Sequence, residues 1–108
     1  MIPKDIIEKE MAKELKGHPE KVSAVNAVVE MVITGANGGT WTIDCTKAGG
    51  SISSGSSGNA KLTVTVSDSD FVDLYQGKLN PQMAFMSGKV KVKGDIGLAL
   101  KLGNLLKQ

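Results

Sequence analysis

The fold is decided by AKLTVTVSDSDF, residues 60–71, because the spacing of the apolar side chains changes within this stretch. Leu62, Val64 and Val66 alternate with lysine and threonine, which predicts a strand with one apolar and one polar face. Ser67 then precedes acidic residues, as a capping residue does where a helix begins. A half-buried strand followed at once by a capped helix is typical of a sheet that helices cover on one side.

The sequence before this stretch predicts a helix and then a hairpin. Apolar residues recur at helical spacing over residues 2–15, and the Gly-His-Pro turn at residues 17–19 ends this helix. Residues 20–26 suit either a short helix or the approach to a strand. Two strand-like runs, residues 27–34 and 40–45, flank a glycine-rich turn and predict an antiparallel pair.

The sequence after it predicts two short helices, a strand and a longer helix. The first short helix continues from Ser67 and stops at Gly77, and Asn80-Pro81 is a typical start for the second. Lysine and valine alternate over residues 89–93, which predicts a strand with one solvent-exposed face. Residues 96–107 are expected to form the final helix.

Length and composition indicate one α+β domain that comprises residues 1–108, with 41% hydrophobic and 22% charged residues. The serine- and glycine-rich residues 51–58 predict a short, weak strand and a mobile loop within that domain. The N-terminal residues alternate charges with isoleucines, which predicts neither a secretory signal nor a membrane span.

The charged residues argue against nucleic-acid binding. All 13 basic residues are lysine and the net charge is only +2, so the guanidinium fork that reads bases and phosphates is missing. One cysteine and one histidine exclude a disulfide framework and zinc-finger sites, and a reducing compartment is expected. We therefore expect no nucleic-acid partner, no metal and no cofactor.

The candidates for catalysis have simpler structural explanations. His18 lies in a turn without a neighbouring nucleophile motif, which favours a solvated loop histidine over a catalytic base. Cys45 shares a strand face with Trp41 and Ile43, which predicts a small buried side chain rather than a reactive thiol. The chain is therefore expected not to be an enzyme.

The final helix has more apolar surface than a surface helix needs. Its apolar residues cover an arc of about 220°, whereas a stripe of about 100° is enough for packing on one side. Other helices, a partner chain or an apolar ligand could cover the excess. Residues 82–86 read QMAFM. One interpretation is that these methionines fill gaps in the core; the other is that they form an adaptable apolar surface, with Gln82 in contact with a ligand head group.

Four segments together resemble the sterol carrier protein 2 family: SDSDF at residues 67–71, GKLNPQMAF at 77–85, GKVKVKG at 88–94 and LALKL at 98–102. The resemblance implies a five-stranded, mainly antiparallel sheet covered on one face by helices. It also implies an apolar tunnel under the C-terminal helix for fatty acids, fatty acyl-CoA or sterols. Trp41, Gln82, Phe85 and the apolar face of that helix would border the tunnel.

With the adaptable methionines included, the expected lipid-binding residues are Trp41, Gln82, Met83, Phe85, Met86, Ile96, Ala99, Leu100, Leu102 and Leu106. The leading hypothesis is a monomeric lipid-binding and lipid-transfer protein that makes transient membrane contact. The alternative is a ligand-free interaction or dimerisation module. A cytoplasmic or peroxisomal location is expected, although the last three residues are not a Ser-Lys-Leu-like peroxisomal signal.

Overall fold

A mixed five-stranded sheet forms the centre of the computed structural model, which describes residues 2–99 and 101. The strand order is β3-β2-β1-β4-β5, in which β1 and β4 are parallel and the other neighbours are antiparallel. The strands are β1 (Val28–Thr34), β2 (Gly39–Asp44), β3 (Ser51–Ser54), β4 (Leu62–Ser67) and β5 (Val90–Gly94). The predicted α+β class and mainly antiparallel sheet are confirmed, with one parallel pair at the centre.

The helices lie along one face of this sheet. Helix α1 consists of Pro3–Asp5, a π-helical part Ile6–Met11, and Ala12–Gly17; the others are α2 (Pro19–Val25), α3 (Asp68–Tyr75) and α4 (Pro81–Met86). Residues 96–99 and 101 are also helical and form the described part of the final helix. Residues 20–26, for which the sequence left two possibilities, are therefore largely helical.

The core lies between α1 and the inner face of the sheet. Ile6, Ile7, Met11 and Leu15 of α1 are buried, as their helical spacing predicts. They belong to one cluster with alternate residues of β1 and β2, the inner-facing set Val29, Met31, Ile33, Trp41 and Ile43. Alternation in the strands and the apolar stripe of α1 thus produce a single core.

Residues 55–61 cross the outer face of the sheet and explain the parallel pair. Thr42 donates a hydrogen bond of 2.7 Å to the carbonyl of Gly55, and the Ser56 hydroxyl donates to the Glu30 carboxylate. Lys61 N then donates a 2.9 Å hydrogen bond to the carbonyl of Val28, beside the start of β4. This segment takes the chain from one sheet edge past β2 and β1, so β4 begins at the same end as β1. Residues 51–58, predicted as a short strand and a loop, thus form β3 and the start of this crossover, whose small side chains let it lie close to the sheet.

The predicted helix starts are confirmed by their hydrogen bonds. Ser67 accepts from Asp70 N at 3.2 Å at the start of α3, and Asn80 accepts from Gln82 N at 2.9 Å at the start of α4. Asp68 also accepts a 3.1 Å bond from Asn37 N in the β1–β2 turn. Side-chain capping therefore fixes both helices and attaches α3 to the hairpin.

A tight turn at Gly94 directs the chain from β5 into the final helix. Its φ is +110°, and a Cβ atom there would lie 2.2 Å from the carbonyl oxygen of Lys61. Asp95 follows and accepts a 2.9 Å bond from Gly97 N, which caps the helix. Only glycine is compatible with both the backbone angle and the close approach.

We expect Gly94→Ala to lower the free energy of unfolding by about 2 to 4 kcal/mol, because the new methyl group meets the β4 backbone. Gly77→Ala is the matched control, since Gly77 has a φ of +77° and open space around its Cβ position. It should cost only about 1 kcal/mol. Urea denaturation measures both changes, and equal losses would contradict a steric role for Gly94.

The buried thiol of Cys45 makes stability depend on alkaline pH. Burial, with a smaller effect of the Asp44 charge, raises the pKa of Cys45 from 9.0 to about 11. The thiol ionises at lower pH in the unfolded chain than in the native protein. Its contribution to stability is therefore complete below pH 9 and is lost as the pH rises towards 11.

We expect the free energy of unfolding to fall by about 1 to 2 kcal/mol over that range because of Cys45. Cys45→Ala is the control, since every other titratable group is common to both proteins and the thiol is present in only one. Subtracting the two urea-unfolding profiles isolates the thiol. Parallel profiles would show that Cys45 is not buried as the structure places it.

Candidate functional site

The inner face of the sheet is covered unequally from one edge to the other. Trp41, Met31, Val64 and Val92 form one cross-strand row from β2 to β5. The first two are buried, whereas Val64 and Val92 are only partly buried. Val90, in the neighbouring row, is also partly buried. Leu62 and Val66 of β4 are buried, so the less completely covered apolar surface lies over Val64 and over β5.

Helix α4 borders this less covered region. It packs against β5, and Lys89 N donates a 2.9 Å bond to the carbonyl of Ala84, which closes the turn between the two elements. Ala84 is fully buried and faces the protein. Gln82, Met83, Phe85 and Met86, four of the predicted site residues, are exposed on the rest of the helix.

The final helix starts beside the same region. Ile96 is exposed, Leu98 is buried in the core cluster, and Ala99 is partly buried against it. Leu100, Leu102 and Leu106 of the predicted site lie outside the described residues. The tunnel that these residues are expected to line remains a prediction.

Trp41 lies apart from the α4 residues. Its indole Nε1 donates a 3.0 Å hydrogen bond to Oε2 of Glu8 on α1, and its ring is buried. Three strand spacings, about 14 Å, separate it from Val92 in the same row. The structure thus places α4 before β5 and the final helix after it, at one sheet edge, and Trp41 in the buried core. An extended apolar molecule along the row would connect the two regions.

A separate cleft of about 500 Å³ opens at the other sheet edge, between α1 and β3. Leu15 and Ile52 contribute apolar walls, while Glu8, Lys16 and three serines make the remainder polar. This cleft was not expected from the sequence. It lies at β3, on the opposite edge from α4 and β5.

The two candidates for catalysis occupy structural positions. The imidazole nitrogens of His18 lie 3.4 Å from Glu14 and 3.7 Å from Glu20, at the junction of α1 and α2. Burial raises the pKa of the Cys45 thiol to about 11, which lowers its thiolate fraction further and makes it a poor nucleophile. Within residues 2–99 and 101, no group of three His, Cys, Asp or Glu side chains is arranged to hold a metal ion.

Val64, Val90 and Val92 were not singled out from the sequence. Their alternation with polar residues marks them as inner-facing but cannot show that the cover above them is incomplete. Glu8 was missed because its partner Trp41 is 33 positions away. The apolar composition of the region favours binding of an apolar molecule, with polar contacts restricted to its margin.

Comparison with known proteins assigns the family. A profile of the SCP-2 sterol transfer family matches residues 7–107. Hydroxysteroid dehydrogenase-like protein 2 of Bos taurus is 46% identical over 88 residues, 81% of this chain and 21% of that protein. Sterol carrier protein 2 of Homo sapiens is 39% identical over 99 residues, 92% of this chain and 18% of that protein. The chain spans about a fifth of the length of these relatives.

Solved structures agree with this assignment. The sterol carrier protein domain 2 of Helicoverpa armigera superimposes with a TM-score of 0.76 at 33% identity, over 98% of this chain and 90% of that one. Palmitated SCP2L2 from Aedes aegypti gives 0.73 at 25% identity, over 100% of this chain and 96% of that one. The chain belongs to the SCP-2 sterol transfer family of lipid-transfer domains.

Proposed function

We propose that the protein carries fatty acids, fatty acyl-CoA or sterols, held against the inner face of the sheet between β4, β5 and the final helix. The observation that supports this most directly is the incomplete cover over Val64, Val90 and Val92 in a member of a lipid-transfer family. An apolar guest would complete that cover. The palmitated relative from Aedes aegypti supports a fatty acyl guest.

Burial of the guest's methylene groups supplies the binding free energy in this proposal. Each buried methylene contributes about 0.8 kcal/mol. About ten buried methylenes therefore offset the substantial free-energy cost of bringing two molecules together. Aliphatic side chains and flexible methionines discriminate poorly between chain lengths, because one methylene more or less changes the binding free energy only slightly. Selectivity is therefore loose, and several lipid classes compete for the same site.

The head group lies at the margin of the site, beside α4. Gln82 is exposed near the start of that helix. The backbone N–H of Gln82 donates a 2.9 Å hydrogen bond to the side-chain oxygen of Asn80. The amide side chain is thus free of the capping bonds and offers both a donor and an acceptor to a carboxyl or hydroxyl group. Gln82 would orient the lipid without contributing most of the affinity.

The family match favours this carrier over the ligand-free module. It also favours a non-enzymatic role, because the match with the dehydrogenase-like protein involves only about a fifth of that protein. Native mass spectrometry distinguishes the carrier from the ligand-free module. Lipid mass on a monomer supports the carrier, and a ligand-free dimer supports the module.

We expect delipidated protein to bind a fluorescent fatty acid saturably, with one molecule per chain. Unlabelled fatty acid, acyl-CoA and sterol should each displace the probe, because all three present an apolar body to the same surface. The order of their displacement constants identifies the preferred class. Absence of saturable binding in vesicle-free solution would contradict the carrier function.

A pair of variants tests the face that binds. Val92→Phe places a ring on the inner face of β5, where it occupies space needed by the guest, and we expect the affinity for the fluorescent fatty acid to fall about tenfold. Lys91→Phe introduces the same ring at the preceding position, on the outer face. It should leave the affinity unchanged. Equal losses from both variants would contradict the assigned face, provided circular dichroism shows both folded.

A further inference from the structure

The outer edge of β3 offers backbone groups to another strand. Within the described residues β3 is the first strand of the sheet and pairs only with β2, so we call its other side the free edge. Gly55 N donates a 2.8 Å hydrogen bond to the carbonyl of Thr40, which makes these residues a hydrogen-bonded pair of the ladder. Bonded and non-bonded pairs alternate in an antiparallel ladder. The N–H and C=O groups of Ile52 and Ser54 therefore point to the free edge.

The ladder between β2 and β1 follows the same alternation. Cys45 N donates a 3.0 Å hydrogen bond to the carbonyl of Ala27. Ile43 and Trp41, two and four positions earlier, therefore direct their own N–H and C=O groups to β1. These two residues lie opposite the two residues of β3 that face the free edge. Both ladders thus agree on which backbone groups of β3 are turned away from β2.

The two edges of the sheet differ in charge. Residues 89–93, at the β5 edge, carry three lysines. Charged side chains, lysine above all, are a common protection of an exposed edge against pairing with another chain. Strand β3 reads SISS and carries no charge. The free edge of β3 therefore lacks the protection that the opposite edge of the sheet has.

The cleft of about 500 Å³ between α1 and β3 runs along this free edge. Glu8 lies at the Ser54 end of the cleft, because it accepts a hydrogen bond from Trp41 and Trp41 is opposite Ser54. Leu15 lies at the other end, where a Cβ atom on Gly50 would be 3.3 Å from the Leu15 Cδ1. Helix α1 thus runs antiparallel to β3, and the two elements form the walls of an elongated cleft.

The cleft has an acidic end, an apolar middle and a basic end. Glu8 and Lys16, both exposed, line its two ends. Between them the walls include Ala12 and Leu15 of α1 and Ile52 of β3. The two charged residues are eight positions apart, which is about 12 Å along a helix. An extended chain covers that distance in about four residues. A strand with opposite charges four positions apart therefore matches both ends.

We propose that the free edge of β3 binds an extended segment of a partner protein, which adds a sixth strand antiparallel to β3. The segment carries a basic, an apolar and an acidic residue at its first, third and fifth positions. These side chains lie on the α1 side of the sheet, beside Glu8, Ile52 and Lys16 respectively. Main-chain hydrogen bonds to β3 supply affinity, and the alternate side chains supply specificity. The charges fix the antiparallel direction, which is also slightly more stable per residue than the parallel one.

Strand addition does not depend on the carrier function. The cleft lies at β3, whereas α4 packs against β5 at the opposite edge of the sheet. A partner bound at β3 therefore leaves the region over Val64, Val90 and Val92 open to a lipid. Peptide binding tests the strand addition, and binding of a fluorescent fatty acid tests the carrier, so the two results are independent.

The experiment is a fluorescence-anisotropy titration of a labelled peptide, Thr-Lys-Thr-Val-Thr-Glu-Thr with blocked termini. We expect saturable binding of one peptide per chain. The matched peptide Thr-Glu-Thr-Val-Thr-Lys-Thr has the same composition with the two charges exchanged, and it should bind about fivefold more weakly because each charge meets a like charge. Equal binding of the two peptides, or binding of neither, overturns the proposal.

N-methylation of the peptide tests the main-chain bonds. The valine lies opposite Ile52, so its N–H donates to the free edge, and methylation of that nitrogen should weaken binding about tenfold or more. Methylation of the threonine just before the valine is the control, because its N–H points away from β3. Equal losses from the two methylated peptides would contradict strand addition.

Two protein variants test the same contacts from the other side. Ser54→Pro removes an N–H that faces the free edge and leaves the bonds to β2 in place, so we expect a folded protein that binds the peptide about tenfold more weakly. Lys16→Glu should weaken binding about fivefold and should prefer a peptide with lysine at the fifth position of the motif. Lys13→Glu is the control, since the Lys13 side chain is 77% exposed and does not line the cleft. Equal losses for Lys13→Glu and Lys16→Glu overturn the proposal.

Two other occupants of the cleft would give different results. If a second copy of the chain pairs with β3, sedimentation shows a dimer that Ser54→Pro dissociates. If the cleft takes a small apolar molecule, free fatty acid at an equimolar amount displaces the labelled peptide. Either result overturns the proposal, whereas a monomer that binds peptide and fatty acid together supports it.

Discussion

One helix is too narrow to cover a five-stranded sheet. An α-helix is about 10 Å wide, and neighbouring strands are about 4.8 Å apart, so α1 covers two or three strands. It packs against the β3 side, where Glu8 binds Trp41 and the inner-facing residues of β2 and β1 are buried. The other side depends on α3, α4 and the final helix, which are short or begin at the edge. This geometric limit leaves the apolar surface over Val64 and over β5 as the place where a guest can contribute to the core.

The inner-face residues and the capping residues follow local rules, and the sequence predicts them well. Alternation at residues 62–66 and 89–93 assigns strands and faces, while Ser67 and Asn80 mark helix starts through bonds to residues two or three positions ahead. Each signal lies within one turn or one strand. The fold class could therefore be predicted, and the resemblance to a family added the number of strands.

The features that the sequence did not predict depend on distant partners. Residues 55–61 appear in the sequence as a flexible loop, because glycine and serine have little preference for helix or strand. Their path is set by Glu30 and Thr42, which lie on strands that the segment crosses. The exposure of Met83 and Met86 likewise depends on what packs against α4, so periodicity alone could not separate a core methionine from a surface one. The same reason leaves the tunnel residues of the final helix as predictions.

Helix α4 combines two properties that a lipid carrier must bring together. Its buried side is a single small residue, Ala84, so little apolar packing holds the helix to the sheet, while two capping bonds that the Asn80 side chain accepts keep its first turn formed. A helix that is internally stable but weakly packed can shift as a unit without unfolding. In the proposed carrier, α4 is thus the element at the margin of the site that can shift beside the half-buried valines of β5.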